Sequence, residues 1–368
     1  MATTGRIALF ERPRQPFTFR EMPVPEPEPG AAVVRVTMAN ICGSDLHAWH
    51  GDFKLAGLGG KLPTVLGHEM TGKIAALGAG LRSDGHGAPL HEGDAVVFTY
   101  FTGCGHCPAC MRGRRVSCES LSMAMTAPAL EWPHFVGGYG DYYYVKPGST
   151  IYKVPAGVPD EVVAGANCAL SQVIAGCERA GLTFDETVVV QGAGGLGLYA
   201  CAVAKAFGAR LVIAIDGVRD RLEMARRYGA DATIDLRDSD EKARAAAVKT
   251  LTGGRGADVV LELVGRADVV PEGLRMLGQF GRYVTIGNIN AGQTYVADPS
   301  RLVMANKSIL GVSLYEPPTL GKALRFLERN RQTLPLAEML ATRFPLEQIN
   351  EAFAKADARE VVRASIIP

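Results

Sequence analysis

The chain has 368 residues, more than one hydrophobic core usually supports, so we expect two domains. Hydrophobic residues make up 47% and charged residues 21%, and the formal net charge of +1 argues against a basic surface for nucleic acid or an anionic membrane. Because no secretory signal and no apolar run of about 18 residues stand out, we expect a cytoplasmic protein whose eight cysteines are thiols or metal ligands.

The first 150 residues are rich in Gly and Pro and contain short β-like runs such as "AAVVRVTMA" and "DAVVFTYF". No long helical pattern interrupts these runs, which predicts a mostly β domain with irregular loops. The segment "RSDGHGAPLHEG", residues 82–93, predicts an exposed loop because it is polar and dense in Gly and Pro.

Two segments of this β-like region carry side chains that bind metals. "NICGSDLHAWHG" contains Cys42 and Asp45, "VLGHEMTG" contains His68 and Glu69, and Cys168 in "GANCALSQ" follows before the next domain. Two thiolates and one imidazole would leave the fourth tetrahedral position open, as a catalytic zinc requires. Sequence spacing alone does not bring the three together, and Cys168 could equally be a buried structural thiol.

The densest metal signal is "CGHCPACMRGRRVSC", in which Cys104, Cys107, Cys110 and Cys118 form a C-x2-C-x2-C-x7-C pattern. Four thiolates fill a zinc tetrahedron and leave no open position, so such a site braces a loop. An iron–sulfur cluster is the rival, but Glu119 follows the last cysteine where the ferredoxin pattern has Pro. A nucleic-acid-binding zinc module is a second rival, which the neutral net charge does not support.

From residue 187 the sequence alternates between short apolar strands and helical patterns, which predicts a parallel sheet with right-handed crossovers. The predicted strands are "TVVVQG", "LVIAID", "ATIDL", "ADVVLELVG" and "RYVTIGN". The predicted helices are "GGLGLYACAVAKAFG", "RDRLEMARRYGA", "DEKARAAAVKTLTG" and "VVPEGLRMLGQFG". After residue 311, two further helical patterns and a last strand in "VVRASIIP" complete the chain.

A glycine-rich turn joins the first strand of this region to its first helix. Its residues are Gly192, Gly194, Gly195, Leu196 and Gly197. The G-x-G-x-x-G spacing allows the turn, the approach of a pyrophosphate and close packing of helix on strand. Asp216, nineteen residues beyond the last glycine, can accept hydrogen bonds from both ribose hydroxyls and would repel a 2′-phosphate, which favours NAD over NADP. Arg219 and Arg221 follow and could soften that preference, and the alternative is a glycine turn with no ligand.

Taken together, "CGSDLH", "GHEMTG", "CGHCPACMRGRRVSC" and "GAGGLG" resemble, in order and spacing, the zinc-containing medium-chain alcohol dehydrogenases. The resemblance covers essentially the whole chain. It implies an α/β protein with a GroES-like β-rich catalytic domain, residues 1–169 and 312–368, interrupted by a Rossmann domain with a doubly wound parallel sheet, residues 170–311. The active site of this family lies in the cleft between the two domains.

The resemblance also implies two zinc ions per chain. Cys42, His68 and Cys168 match the ligands of the catalytic zinc, and the four clustered cysteines match those of the structural zinc. Glu69 matches an acidic neighbour that can approach the metal during ligand exchange. Asp45 matches the carboxylate that holds the zinc-binding imidazole in the correct tautomer.

Further roles follow from the same resemblance. Ser44 occupies the position of a hydroxyl beside the reacting oxygen, and His47 the position that passes the proton outward. Arg363 stands where the family often has a basic residue for the cofactor pyrophosphate, and Arg221 lies within the expected cofactor site.

The primary hypothesis is a zinc-dependent, NAD-linked dehydrogenase that oxidises a small alcohol to a ketone or an aldehyde. Bulky residues at Tyr100 and Trp49, positions that line the family's substrate site, favour a secondary, cyclic or aromatic alcohol over a sugar polyol. Residues 120–137 form a long apolar and aromatic segment that could contribute Trp132 and its neighbours to the same pocket. The rivals are a carbonyl reductase of the same superfamily and a non-catalytic, zinc-stabilised NAD-binding protein. The resemblance further implies a homodimer or homotetramer paired through the sheet edge at "SILGVSLY".

Overall fold

The structure is a computed structural model that describes residues 3–52 and 60–368. It divides into two compact units. The first contains Met1–Ser171 and Tyr315–Pro368, and the second contains Gln172–Leu314. Within the described ranges, no helix combines the length and the apolar character needed to cross a membrane.

The secondary structure of the described residues is mixed. In chain order the strands are β1 (Thr4–Leu9), β2 (Thr18–Pro23), β3 (Ala32–Asn40), β4 (Glu69–Leu77), β5 (Ala95–Phe98), β6 (Phe101–Thr102), β7 (Ser122–Met123), β8 (Tyr142–Val145), β9 (Ile151–Lys153), β10 (Thr187–Gln191), β11 (Leu211–Asp216), β12 (Ala232–Asp235), β13 (Ala257–Glu262), β14 (Leu277–Thr285), β15 (Ser308–Gly311), β16 (Thr342–Pro345) and β17 (Ala364–Ile367).

The helices are α1 (Gly43–His50), α2 (Pro108–Met111), α3 (Asp160–Val163), α4 (Ser171–Ala180), α5 (Gly195–Ala206), α6 (Arg219–Arg227), α7 (Glu241–Leu251), α8 (Val270–Met276), α9 (Pro299–Val303), α10 (Pro318–Asn330), α11 (Leu336–Met339) and α12 (Ile349–Asp357). A π-helix covers Ala166–Leu170. Short 3₁₀ turns cover Arg115–Ser117, Ala124–Thr126, Ala267–Val269 and Leu346–Gln348.

The first unit is built on a sheet in the order β16-β17-β3-β4-β5-β9, with β8 also paired to β3. The long strands β3 and β4 run antiparallel, and their register places Asn40, the last residue of β3, opposite Glu69, the first residue of β4. The segments that leave β3 and enter β4 therefore lie side by side at one end of the sheet.

The second unit is a parallel sheet in the order β12-β11-β10-β13-β14-β15. This is the order of the doubly wound dinucleotide-binding fold, with β10 and β13 at the point where the direction of winding reverses. All five residues of β10 are buried, as expected for a central parallel strand with helices on both faces. The parallel α/β sheet predicted from the alternating pattern is confirmed.

Two local differences separate the structure from the sequence-based expectations. The first unit contains the helix α1, which was not predicted because its sequence has no long apolar repeat. The helix predicted over residues 269–281 ends at Met276, and β14 begins at Leu277. A β-carbon on Gly278 would lie 2.4 Å from the Arg255 oxygen, so this part of the chain runs against another backbone segment.

The loop at residues 82–93 is largely exposed, as predicted, and it folds around one buried carboxylate. Asp84 accepts hydrogen bonds from the backbone N–H groups of His86, Ala88 and Lys153, at 2.8, 2.9 and 3.1 Å. The His86 ring packs on Tyr152 with centroids 4.7 Å apart. The loop is thus anchored to the body of the first unit.

Candidate functional site

Four potential metal ligands meet in the interior of the first unit. One ligand atom from each of Cys42, His68, Glu69 and Cys168 lies within 4.8 Å of the other three, and all four residues are buried. A tetrahedral zinc with Zn–S bonds of about 2.3 Å separates two ligand sulfurs by about 3.7 Å. The donor set of two thiols and one imidazole, with a carboxylate beside them, therefore suits a zinc ion.

The fold explains why these distant residues converge. Cys42 lies two residues beyond the end of β3 and His68 immediately before β4, so the pairing of Asn40 with Glu69 brings both to one place. Cys168 reaches the same place on the π-helix, a rare helical form that is frequent at functional sites.

Asn167 fixes this π-helix beside the sheet. Its side-chain oxygen accepts a hydrogen bond from the Met70 N–H at 3.1 Å, and its amide group donates to the Phe98 carbonyl at 3.2 Å. The Tyr315 hydroxyl donates to the backbone carbonyl of Asn167. Because Asn167 is fully buried, these contacts set the position of the neighbouring Cys168. The sequence analysis did not identify Asn167, since no motif marks it.

Asp45 holds the imidazole of His68. Its Oδ1 lies 3.5 Å from His68 Nδ1, so a proton on Nδ1 leaves Nε2 free to bind a metal. Asp45 is fully buried and accepts hydrogen bonds from the Cys42 N–H at 2.9 Å, the Gly67 N–H at 3.2 Å and the Tyr139 hydroxyl at 2.9 Å. The carboxylate is therefore fixed from several sides, and Tyr139 is a supporting residue that sequence reasoning missed.

The electrostatics of the metal-free cluster follow from burial and from neighbouring charge. A hydrogen bond with Cys168 lowers the pKa of the Cys42 thiol well below its ordinary value, so Cys42 carries the thiolate of the pair. Burial alone would lower the pKa of His68, but the charge and hydrogen bond of Asp45, together with the contacts of Cys42, outweigh burial and raise it. Zinc binds thiolate sulfur and neutral imidazole nitrogen, so its binding would displace protons from these ligands. A thiolate beside an imidazole that contacts a carboxylate suits such binding.

Glu69 is the fourth buried member of this group and pairs with Arg363. The guanidinium of Arg363 contacts Glu69 Oε1, and both side chains are almost completely buried. Burial raises the pKa of Glu69 to about 8, against the opposing effect of the Arg363 charge. The structure thus places Arg363 beside the candidate metal site in the first unit. Its predicted contact with the cofactor pyrophosphate stays a prediction.

Ser44 and His47 both lie on α1, directly after Cys42. The Ser44 Oγ is 3.3 Å from His68 Nε2, the nitrogen that would face the metal. His47 is three residues further, hence on the same face of the helix, and its ring nitrogen lies 3.9 Å from Asp52 Oδ2. Since the His47 side chain is 29% exposed, a proton that reaches it can pass to water.

The bulky residues assigned to the substrate site have different surroundings. Tyr100 is buried, its ring centroid is 4.9 Å from that of His68, and its hydroxyl is 3.9 Å from Cys168 Sγ. Trp49 instead donates to the Gln15 carbonyl at 3.3 Å. Trp132, in the 120–137 segment, is 52% exposed and packs edge-on against another aromatic ring. Of these three, Tyr100 is the one that contacts the candidate metal ligands.

The structure also brings together the four clustered cysteines, which form a second candidate metal site. The Cys107 and Cys118 sulfurs are 3.9 Å apart, close to the separation of two zinc ligands. Backbone N–H groups point at the sulfurs, with Cys104 N 3.2 Å from Cys118 Sγ and Cys107 N 3.3 Å from Cys104 Sγ. The N–H of Cys110 is the largest of the contacts that lower the pKa of Cys107 to about 6. These contacts favour the thiolate of Cys107, and the arrangement of four sulfurs suits a metal ion.

The nucleotide turn of the second unit has the geometry that its glycines predict. Gly192 has φ +92°, and a β-carbon on Gly197 would lie 1.9 Å from the Gly192 carbonyl oxygen, so both positions require glycine. A β-carbon on Gly194, by contrast, would have only Arg221 Nη1 near it, at 4.0 Å. The backbone at Gly194 and the first turn of α5 thus offer an open approach for a phosphate group.

Asp216 ends β11 beside this turn. Its two carboxylate oxygens accept hydrogen bonds from the Ala193 N–H at 2.7 Å and the Val218 N–H at 2.9 Å. A carboxylate has about four acceptor positions, so two remain for ribose hydroxyl groups. The glycine turn, Asp216 and Arg221 therefore lie together at the carboxyl edge of the parallel sheet, where dinucleotides bind.

Comparisons with known proteins agree with this architecture. Residues 28–156 match the family model of the alcohol dehydrogenase GroES-like domain, and residues 195–329 match that of the zinc-binding dehydrogenases. The chain is 35% identical over 347 residues to a 5-exo-hydroxycamphor dehydrogenase of Pseudomonas putida, with 94% of each chain covered. It is 31% identical over 376 aligned positions to an erythritol/L-threitol dehydrogenase of Mycolicibacterium smegmatis, covering 96% of this chain and 94% of the relative.

A solved structure gives the same result at the level of the fold. The alcohol dehydrogenase of Thermotoga maritima superposes with a TM-score of 0.93 at 28% sequence identity, and the whole of both chains is covered. The predicted fold class, a GroES-like domain combined with a Rossmann domain, is confirmed.

Proposed function

The chain belongs to the zinc-containing medium-chain dehydrogenase/reductase family, and from this we propose which residues carry out its reaction. It is a zinc-dependent NAD(P) alcohol dehydrogenase, an oxidoreductase that transfers hydride between an alcohol and a nicotinamide cofactor. The proposals concern its metal ligands, its proton path, its cofactor preference and its class of alcohol.

The catalytic zinc is held by Cys42, His68 and Cys168. This assignment rests on the buried group of ligand atoms, which lie within 4.8 Å of one another. Asp45 supports it by contacting the Nδ1 side of the His68 imidazole. Three protein ligands leave one position for a substrate oxygen. Glu69 lies within ligand distance of the same point and can occupy that position between substrates, while Arg363 balances its charge.

When bound, the zinc supplies Lewis-acid polarisation of the alcohol oxygen and the nicotinamide accepts the hydride. The protein must remove one proton from the alcohol. Ser44 Oγ is 3.3 Å from the zinc-facing nitrogen of His68, so it is placed to accept that proton. His47, on the same face of α1 and partly exposed, is placed to release the proton to solvent.

We expect Ser44→Ala to lower kcat about a hundredfold or more, because a positioned proton acceptor contributes roughly 10²–10⁴ in rate. Ser44→Thr, which keeps the hydroxyl, is the matched control and should retain most of the activity. His47→Gln should lower kcat less, and raising the pH should partly restore it, since hydroxide can then remove the proton. Pre-steady-state kinetics with zinc content measured in parallel would decide, and full activity of Ser44→Ala would refute the path.

NAD is the proposed cofactor. The support is Asp216, a nearly buried carboxylate at the ribose end of the turn, which can bind two hydroxyls and repels a 2′-phosphate. Arg221, next to the open side of Gly194, is positioned for the cofactor's phosphates or ribose. In this assignment the turn residues bind the pyrophosphate by their backbone N–H groups.

The proposed substrate is a secondary, cyclic or aromatic alcohol. Tyr100 supports this, because a buried aromatic side chain against the metal ligands provides apolar contact area and little hydrogen bonding for additional hydroxyl groups. The Pseudomonas putida relative acts on a hydroxylated camphor, and the Mycolicibacterium smegmatis relative on four-carbon polyols, so related chains differ in this respect.

A panel of alcohols and carbonyl compounds, followed by NADH absorbance in both directions, tests the function. We expect cyclic secondary alcohols to exceed linear polyols in kcat/KM by at least about tenfold, because a buried apolar pocket leaves polyol hydroxyls unpaired. A reversed order would refute the proposed substrate class. Turnover in the reducing direction alone would favour a carbonyl reductase, and no turnover of any compound would refute the enzyme assignment.

The second zinc, held by Cys104, Cys107, Cys110 and Cys118, is proposed as structural because four thiolates leave no open position. A homodimer or homotetramer is proposed because β15 is the last strand of its sheet within the described residues and exposes an edge that a second copy can pair with. Light scattering that gives a monomer mass would refute the second proposal.

A further inference from the structure

A second carboxylate lies beside Asp216 at the carboxyl edge of the parallel sheet. In the register of β11 and β12, Asp216 is paired with Asp235, the last residue of the neighbouring strand. Adjacent strands are about 4.8 Å apart, so both acids lie within reach of a group bound at this edge. Of these two acids, only Asp216 is marked by a sequence motif.

Asp235 binds two of the arginines that surround this position. Arg237 Nε is 3.0 Å from Asp235 Oδ1 and its Nη2 is 2.5 Å from Oδ2, a bidentate contact, and the backbone N–H of Arg237 also donates to Oδ1 at 3.0 Å. Arg219 Nε lies 3.7 Å from Asp235 Oδ2. Both arginine side chains are largely exposed, whereas the Asp235 side chain is 11% exposed.

The Asp235 carboxylate therefore offsets one of these two positive charges and engages both side chains. Hydrogen bonds from Arg237 hold the pKa of Asp235 well below its usual range, so the carboxylate is ionised at neutral pH. Arginines in bidentate contact with a carboxylate have fewer donors left for a phosphate, which is their preferred alternative partner. Without Asp235, two guanidinium groups would lie next to the ribose end of the nucleotide turn with no carboxylate between them.

We propose that Asp235 is a second residue that determines cofactor specificity: it engages Arg219 and Arg237 and so prevents them from binding the 2′-phosphate of NADP. This inference rests on the proposed NAD site at Asp216. In this arrangement Asp216 selects NAD by binding the ribose hydroxyls, while Asp235 rejects NADP by occupying donor groups of the arginines that would otherwise bind its additional phosphate. Asp216 therefore affects the binding of NAD and Asp235 the binding of NADP, so separate variants can test the two roles.

Isothermal titration of the full-length protein with adenosine 5′-monophosphate and with adenosine 2′,5′-bisphosphate provides the test, and it does not depend on turnover. Asp235→Asn should bind the bisphosphate at least about tenfold more tightly than the wild type, because charge-assisted contacts to phosphate are among the strongest hydrogen bonds. Its affinity for the monophosphate should change by less than about twofold, since no ribose contact is removed. Asp235→Ser serves as a second variant if the first does not fold.

Two further variants distinguish release of the arginines from a general change of charge. Adding Arg237→Gln to Asp235→Asn should remove most of the gain. Asp238→Asn is the matched control: Asp238 influences Arg237 through space, without the bidentate contact, and its replacement should give no comparable gain. An equal gain with Asp238→Asn, or a gain that survives Arg237→Gln, overturns the proposal.

Different results would contradict the nucleotide site and the role of Asp235. If the wild type does not bind the monophosphate, or Asp216→Asn does not weaken its binding, the nucleotide site itself is wrong. If that site behaves as proposed but folded Asp235→Asn and Asp235→Ser leave the affinity for the bisphosphate unchanged, only the role of Asp235 is wrong.

Discussion

Replacing Cys42 by Ser is expected to remove one zinc ion per chain and to lower kcat/KM by at least about a thousandfold. Serine keeps the size of the side chain but is a poor zinc ligand near neutral pH, because its hydroxyl does not ionise as a thiol does. Of the three proposed ligands, only His68 and Cys168 would remain. Among the described residues, Glu69 is the one nearby group that could replace the lost thiolate. The Lewis-acid contribution to the reaction would be lost or misplaced.

The structure offers a matched control for this variant. Cys177 is completely buried on α4 in the second unit and does not belong to either of the metal-ligand groups found among the described residues. Cys177→Ser also places a hydroxyl where a buried thiol was, so it reproduces the packing change alone. We expect it to retain two zinc ions and activity within about threefold of the wild type, after correction for any loss of stability.

Zinc content, activity and NADH binding should be measured on the same preparations. NADH binding reports on the second unit, which contains the nucleotide turn, and should persist in Cys42→Ser. If Cys42→Ser keeps two zinc ions and its activity, the assignment of the catalytic ligand is wrong. One zinc per chain in the wild type, still present in Cys42→Ser, would favour a non-catalytic, zinc-stabilised NAD-binding protein.

The second unit was the more predictable part of the fold. Strands β10 to β13 are short apolar runs, each followed by a helical pattern, and the glycine turn lies within one continuous segment from β10 to α5. Local sequence therefore contains both the elements and their connection. The end of α8 at Met276 was not predictable in the same way, because close backbone contact at Gly278 decides it and that contact joins separate parts of the chain.

The proposed catalytic ligands illustrate the opposite case. Cys42, His68 and Cys168 come from three separate segments, and only the register of β3 with β4 and the buried contacts of Asn167 bring them together. No periodicity in the sequence contains that register. The family resemblance supplied the trio, whereas the residues that position it, Asn167 and Tyr139, lie outside every recognised motif and needed the structure.

Asp235 was missed for a related reason. It is the last residue of β12, in a segment with no recognised motif, and its role depends on its position opposite Asp216 on the neighbouring strand. A sequence-based reading of cofactor preference considers the acid at the end of the second strand of the fold. The parallel register adds a second acid whose effect passes through arginines, and this relation exists only in three dimensions.

The segment from Cys104 to Cys118, here called the cysteine lobe, should respond to mutation in the opposite way from the proposed catalytic site. Cys110→Ser is expected to remove one zinc ion and to unfold the segment from Cys104 to Cys118, because zinc binding to such a site, worth roughly 10–16 kcal/mol in small zinc domains, is folding free energy. Arg112, Arg114 and Arg115 lie exposed in this segment, so trypsin should cut there at least about tenfold faster. His106→Ala, a change at an exposed residue of the same lobe, is the matched control and should keep both the zinc and the resistance to trypsin.

Activity separates a structural role from a catalytic one. Because a closed four-sulfur site cannot bind substrate, freshly prepared Cys110→Ser at low temperature should retain kcat within about fivefold of the wild type while it loses activity faster on warming. Cys42→Ser should show the reverse, with normal resistance to trypsin and no turnover. Loss of turnover in Cys110→Ser with the lobe still resistant to trypsin would contradict the structural role, since the lobe would then contribute to the reaction and not to the stability of the fold.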